Sequence, residues 1–218
     1  MKKWKEFLNT YKHGLIPIIY GIFYIIIFFY LENRSVAAFH IIKHPLDAKI
    51  PFCEYFIIPY YLWFPYIACT VAAFVFLDKE KKDYTRLCIM LGIGMTFFLL
   101  FSYIYPNALM LRPTTFTRDN IFVTLTKGIY ASDTSTNVFP SIHCFNSFAV
   151  CAAIWHNKTF RKHRIIPIGS TVLCILIILS TMFVKQHSVI DVIGAFVMFL
   201  ILYIPLYLVP LCKQFRHR

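Results

Sequence analysis

His187 and Asp191 stand four residues apart in "KQHSVID". On a helix that spacing puts both side chains on one face, within hydrogen-bond reach. A carboxylate bonded to one imidazole nitrogen fixes the tautomer and leaves the other nitrogen free as a nucleophile or base. The same pair also suits a polar contact that only locks two helices. Some forty residues earlier, "FPSIHCFNS" carries His143 at the mouth of an apolar segment. Pro140 fits the first turn of a helix. Ser141 to His143 would then lie where unpaired N–H groups and the helix dipole favour an anion. His143 in that place could protonate a departing oxygen, or simply sit at the interface bonded to water. Arg112, in "LRPTTF", brings a permanent planar cation suited to phosphate, although Arg-Pro at a membrane boundary also suits snorkelling and a helix stop.

These residues need a scaffold, and composition says which kind. The 218-residue chain is 59% hydrophobic and 18% aromatic, too apolar for a soluble domain of this size. About 20 helical residues cross a bilayer core. Six apolar runs reach that length, near Gly14 to Leu31, Tyr55 to Leu77, Leu87 to Tyr105, Val138 to Trp155, Ile165 to Val184 and Val189 to Leu211. The expected fold is an all-α, polytopic membrane protein, a six-transmembrane-helix bundle. The first run resembles a signal peptide followed by the small residues "SVAA", but its length and the five runs after it favour a span.

Orientation follows from the basic residues. With six spans, the N-terminus, "DKEKKDYTR", "HNKTFRKHR" and the tail "KQFRHR" share one side and hold 15 of the 22 Lys and Arg, leaving 7 for the other. The positive-inside rule makes that side and both termini cytoplasmic. Arg112, His143, Lys185, His187 and Asp191 then all fall at the opposite, extracytoplasmic boundary. Intramembrane ionisable groups are costly unless paired or solvated, so their convergence points to function.

A strongly basic soluble chain would suggest nucleic acid, but here the charges flank apolar runs and nucleic acid is not expected as a partner. Residues 1–218 read as a single membrane domain, with Pro106 to Asn137 as an ordered outer loop. Seven cysteines without C-x-x-C spacing argue against a disulfide framework or a zinc site, and suit buried thiols. The aromatic runs "FYIIIFFY" and "YFIIPYYLWFPY" suit interfacial anchoring, and Pro59, Pro65, Pro205 and Pro210 suit helix kinks or ends.

Three ordered segments, "YPNALMLRP" from Tyr105, "PSIH" from Pro140 and "STMFVKQHSVID" from Ser180, resemble the three motifs of the type 2 phosphatidic acid phosphatase superfamily. The resemblance covers roughly residues 85 to 211. It implies a lipid phosphate substrate, no cofactor and no metal. It also implies a phosphohistidine mechanism in which His187 attacks phosphorus, Asp191 orients it and His143 protonates the leaving group. Arg112 and Ser141 would hold the phosphate oxygens. Tyr105 stands where the family has a lysine and Thr181 where it has an arginine, so Lys185, a helical turn beyond Thr181, is expected to supply the missing charge, with Tyr105 as a neutral donor. Hydrolysis of a lipid phosphomonoester or diphosphate is the leading expectation. The thinned cation set also resembles the sphingomyelin and inositol phosphorylceramide synthases, which transfer the group to an alcohol. A transporter with a His/Asp proton relay and a metal held by the same residues complete the alternatives. The lipid, the acceptor and the oligomeric state have no signal in the sequence.

Overall fold

In a bilayer an apolar chain must satisfy its own backbone groups, and helices do so within each segment. The computed structural model describes residue 6, residues 10–78 and residues 81–210. Its helices are α1 (Leu15–Asn33), α2 (Ile57–Leu77), α3 (Lys82–Ile104), α4 (Ile121–Ser132), α5 (Ile142–His156), the short α6 (Lys158–Arg161), α7 (Ile165–Phe183) and α8 (Val189–Tyr203). Five stretches are long and apolar enough to cross a membrane: Lys12–Asn33, Glu54–Leu77, Lys82–Ile104, Ile165–Phe183 and Val189–Leu208. The chain is therefore a mostly helical, multi-pass membrane protein. Pro205 lies in a π-turn, Ile204–Leu208, that extends α8, where its missing N–H breaks the regular ladder. Leu211, the tail "KQFRHR", the N-terminal lysines before residue 6 and Lys79 lie outside the described residues.

The fourth apolar run behaves differently from the other five. Its helix, α5, has 15 residues, a rise of about 22 Å against the ~30 Å of a hydrocarbon core. It is also the most enclosed, with ten of those residues buried between α2, α3, α7 and α8. Its apolar demand is met by protein rather than lipid, so its length need not match the bilayer. Phe145 of α5 is buried against α3 at Gly94, where even a Cβ would overlap its ring. The outer helices show the complementary pattern. Only Leu31 of α1 is buried, while Ile16, Ile19, Ile26 and Tyr30 are exposed, an apolar surface suited to lipid.

The segments joining the helices at the histidine end form an ordered cap. β1 (His40–Ile42) pairs in parallel with β2 (Asn107–Leu109), and Ala108 bridges Thr136. Buried Asn107 accepts from the N–H groups of Val138 and Phe139, both at 2.9 Å, which fixes the approach to α5. The outer loop also holds a helix, α4, missed by a reading based on span length. Asn120 caps its N-terminus, accepting from Val123 N–H at 3.0 Å, and Val123, Thr126 and Ile129 form its buried face.

Candidate active site

The catalytic candidates meet where α5 and α8 begin. Ser141 is the N-cap of α5, its Oγ accepting from Cys144 N–H at 3.4 Å, and its own N–H reaches Asp191 O at 3.1 Å. Pro140 stands before that cap, joined to Phe139 by a cis bond, and is not in the first helical turn. Gly194 on α8 leaves room for Phe139, whose ring would lie 2.5 Å from a Cβ there. The turn between α7 and α8 is pinned by Thr181 O, which accepts from Gln186 N–H (2.9 Å) and His187 N–H (3.0 Å). Thr181 thus holds this turn through its backbone, where the motif expects an arginine side chain.

Across the gap His143 Nδ1 lies 3.3 Å from His187 Nε2. On its other side His187 Nδ1 lies 3.4 Å from Asp191 Oδ2. This is an ion-pair distance rather than an aligned hydrogen bond, since His187 Nδ1 and Asp191 Oδ1 have no hydrogen-bond partner. The pair does not share a helix face. His187 precedes the N-cap Ser188, and Asp191 is the third residue of α8, closing a capping box with Ser188 N–H at 2.8 Å. The cap positions the carboxylate and only then does it face the imidazole. Asp191 is fully buried, whereas His143 and His187 keep 8% and 7% exposure, enough for a ring edge to be reached.

Tautomers follow from this order. A carboxylate at Nδ1 calls for the proton there, leaving Nε2 of His187 as the bare lone pair. His143 Nδ1 must then carry the proton it shares with that lone pair. In this tautomer a bare ring nitrogen of His187 stands beside an N–H of His143.

The cations are placed otherwise than the spacing suggests. The half-buried Arg112 donates from Nη1 to Tyr130 O (3.1 Å) and from Nη2 to Asp133 O (2.6 Å), Thr134 O (2.9 Å) and Gln186 Oε1, with Tyr130 under its guanidinium. These carbonyls belong to the C-terminal end of α4, the negative pole of that helix. Burial lowers the Arg112 pKa, although Asp133 beside it opposes the shift. Lys185 is not helical: it adopts a left-handed backbone with φ 57°, two residues past the end of α7. That turn sends Nζ to Asp47 O at 2.9 Å and to Ile50 O, so it clamps the segment between α1 and α2 and does not cover the space beside Thr181. Burial lowers the Lys185 pKa, with Asp47 offsetting it. Tyr105 stacks on His40 at 4.0 Å and does not join the histidines.

Other residues complete the site. Asp47 is buried and accepts from Ser188 Oγ (2.6 Å), Val189 N–H (2.9 Å) and His44 N–H (2.7 Å), tying the segment between α1 and α2 to the start of α8. Trp63 donates to His143 O at 3.1 Å, with its ring 4.4 Å from the imidazole, and Tyr60 lies 4.8 Å away on α2. Both come from a run read as interfacial anchoring, yet Tyr60 is buried. Its hydroxyl donates to Asp133 Oδ2 at 2.8 Å, and Gln186 Nε2 donates to the same oxygen at 3.3 Å. Among the described residues, no group of three His, Cys, Asp or Glu side chains is placed to hold a metal ion. Cys144 and Cys174 are buried, and Cys69 is exposed.

Burial raises the Asp133 carboxyl above its ordinary value, and the Tyr60 hydrogen bond, His187 and Arg112 offset that only in part. The folded chain thus holds this proton more tightly than the unfolded one. The associated stability is complete below about pH 4 and is lost as pH rises through the raised value. Asp133→Asn removes that loss while keeping an acceptor for Tyr60. The melting temperature of the variant in detergent is expected to rise relative to the parent between pH 4.5 and 7.5. The opposite trend would mean that the ionised carboxylate is the better partner for Arg112.

A buried His-His-Asp constellation at one end of a membrane helix bundle defines the class of protein. The chain belongs to the PAP2 superfamily, whose profile matches residues 83–213 and whose members are typically metal-independent phosphatases. No curated protein and no solved structure matches it.

Proposed function

We propose that this chain is a lipid phosphate phosphatase that hydrolyses a lipid phosphomonoester or diphosphate at the extracytoplasmic membrane face through a phosphohistidine. In this reading α5 completes six crossings, both termini are cytoplasmic and residues 1–218 form one membrane domain. The observation that carries it is the 3.3 Å approach of His143 Nδ1 to His187 Nε2, with Asp191 behind the latter.

The His187 Nε2 lone pair forms the N–P bond as the bond from phosphorus to the lipid oxygen breaks, and His143 Nδ1 gives its proton to that oxygen. Asp191 stabilises the positive imidazole ring that results. Water then attacks phosphorus, the N–P bond breaks, and His143 recovers a proton from the water. The first-turn N–H groups of Ile142 and His143 have no intrahelical acceptor and would be available to the non-bridging oxygens. Ser141 reaches a phosphate only by exchanging its cap, and Arg112 only by releasing its carbonyls.

That engagement of Arg112 and Lys185 favours a second reading, transfer of a phosphoryl-headgroup to a lipid alcohol. A phosphodiester carries less charge than a monoester and asks for fewer cations. To separate the two, the purified full chain in nanodiscs is given lipid phosphomonoesters, diphosphates and headgroup donors with an alcohol acceptor, and free phosphate and transferred product are both measured. Hydrolysis predicts free phosphate, unchanged by a chelator. Transferred product without free phosphate selects the second reading, and activity lost on chelation would replace both with a metal site.

A further inference from the structure

At the end of the bundle opposite the histidines, α1 does not pack flush on its neighbours. It touches α2 at Gly14, where a Cβ would come within 3.0 Å of Val75. Nearly two turns on it is fixed to α3, as Tyr20 OH hydrogen-bonds Gly92 O at 3.0 Å and Thr96 Oγ1 at 2.8 Å. Between these two points α1, α2 and α3 enclose a cleft of about 1120 Å³. Its walls are apolar, among them Ile67, Val71 and Met95, and a Cβ on Gly21 or Gly92 would meet open space there. Such a volume is large enough for a sizeable ligand.

Length and charge narrow the occupant. From Lys12 to Gly21 the cleft follows ten residues, the 3-10 turn Lys12–Gly14 and the first seven of α1, a rise of about 14 Å and close to the half of a ~30 Å hydrocarbon core that belongs to one leaflet. Lys12 stands at its mouth, and no Asp or Glu is among the described residues that line it. Apolar walls in a membrane exclude water and are filled by hydrocarbon, while an ammonium at headgroup level attracts negative charge. A zwitterionic headgroup would bring a cation that finds no carboxylate among the described lining residues.

We propose that this cleft binds an anionic diacyl phospholipid, with its chains between α1, α2 and α3 and its phosphate at Lys12. The bound lipid seats α1 where the helix leaves its own neighbours uncovered. The other end of α1 carries Glu32, which accepts from Thr134, from Thr136 at 3.2 Å and from Asn137 at 2.8 Å, and so grips the segment that holds Arg112. Seating α1 therefore also steadies the cap over the histidines.

The test uses the full chain in neutral detergent, titrated with phosphatidylglycerol or phosphatidylcholine of the same chains, read by melting temperature and native mass spectrometry. At a hundredfold excess over the dissociation constant, phosphatidylglycerol is expected to raise the melting temperature by about 5–10 °C, and phosphatidylcholine by clearly less. Lys12→Glu should abolish that difference. The cleft-filling pair Gly21→Leu and Gly92→Leu should remove the binding of both lipids. Equal response to both lipids in the parent would overturn the proposal. So would an undiminished phosphatidylglycerol preference in Lys12→Glu, which decides the matter even if the filled variant does not fold. A lipid-free dimer that Gly21→Leu and Gly92→Leu dissociate would assign the cleft to a second copy of this chain instead.

Discussion

His187→Ala should leave no measurable turnover, a loss on the order of 10⁵-fold or more, because in the proposed mechanism the covalent intermediate forms on its Nε2. His143 cannot substitute: its Nδ1 carries the proton that faces His187, and Asp191 lies behind His187. The fold should survive, since the turn is held by the backbone N–H of His187 to Thr181 O at 3.0 Å and by the Ser188–Asp191 capping box. A melting temperature within a few degrees of the parent would establish that. The decisive readout is the phosphoenzyme. Brief exposure of the parent to ³²P-labelled substrate followed by denaturation should leave an acid-labile, base-stable label on the chain, absent from His187→Ala. Retention of full activity by the variant would sink the covalent mechanism.

How much of this was legible before the structure depends on what each residue costs. His143, His187 and Asp191 stood out because ionisable groups in apolar runs are expensive, so their presence needed a reason. Asp133 and Asp47 gave no such signal: they lie in polar loops where a carboxylate costs nothing until the loop folds down and buries it. Tyr60 and Trp63 were hidden for the opposite cause, since aromatic residues near a boundary are ordinary. Periodicity could not place Lys185, whose direction is decided by a single left-handed residue. Nor could it show that Arg112 would close the end of α4, because α4 itself is too short to register among membrane spans. The five long helices were legible from length and hydropathy. The fourth run was legible as apolar but not as short, because its partners are other helices and the limit on its length comes from Ser141 and Asn157 at its ends.

His143→Asn should separate the two steps of the reaction by leaving group. An alkoxide departs with a pKa far above neutrality and needs a proton in the transition state, whereas p-nitrophenolate does not. General acid catalysis contributes about 10²–10⁴-fold where it is needed. On a lipid phosphomonoester the variant is therefore expected to lose about a thousandfold in kcat, and on p-nitrophenyl phosphate less than about tenfold in the first step. Asparagine keeps the local structure, because Trp63 and Ser147 both bond to the backbone carbonyl of residue 143, at 3.1 and 2.7 Å. The second step imposes a further consequence. The group that gave a proton to the leaving oxygen must take one from the attacking water, so the variant is slow to hydrolyse the phosphohistidine whatever the first leaving group was. With the aryl substrate, formation then outruns breakdown. A stopped-flow trace should show a burst of nitrophenolate close to one equivalent, matched by near-stoichiometric label on His187, where the parent shows no burst and only a small steady-state label. Equal losses on the alkyl and aryl esters, with no burst, would mean that His143 orients the phosphate without moving a proton, and the acid would have to be sought elsewhere in the site.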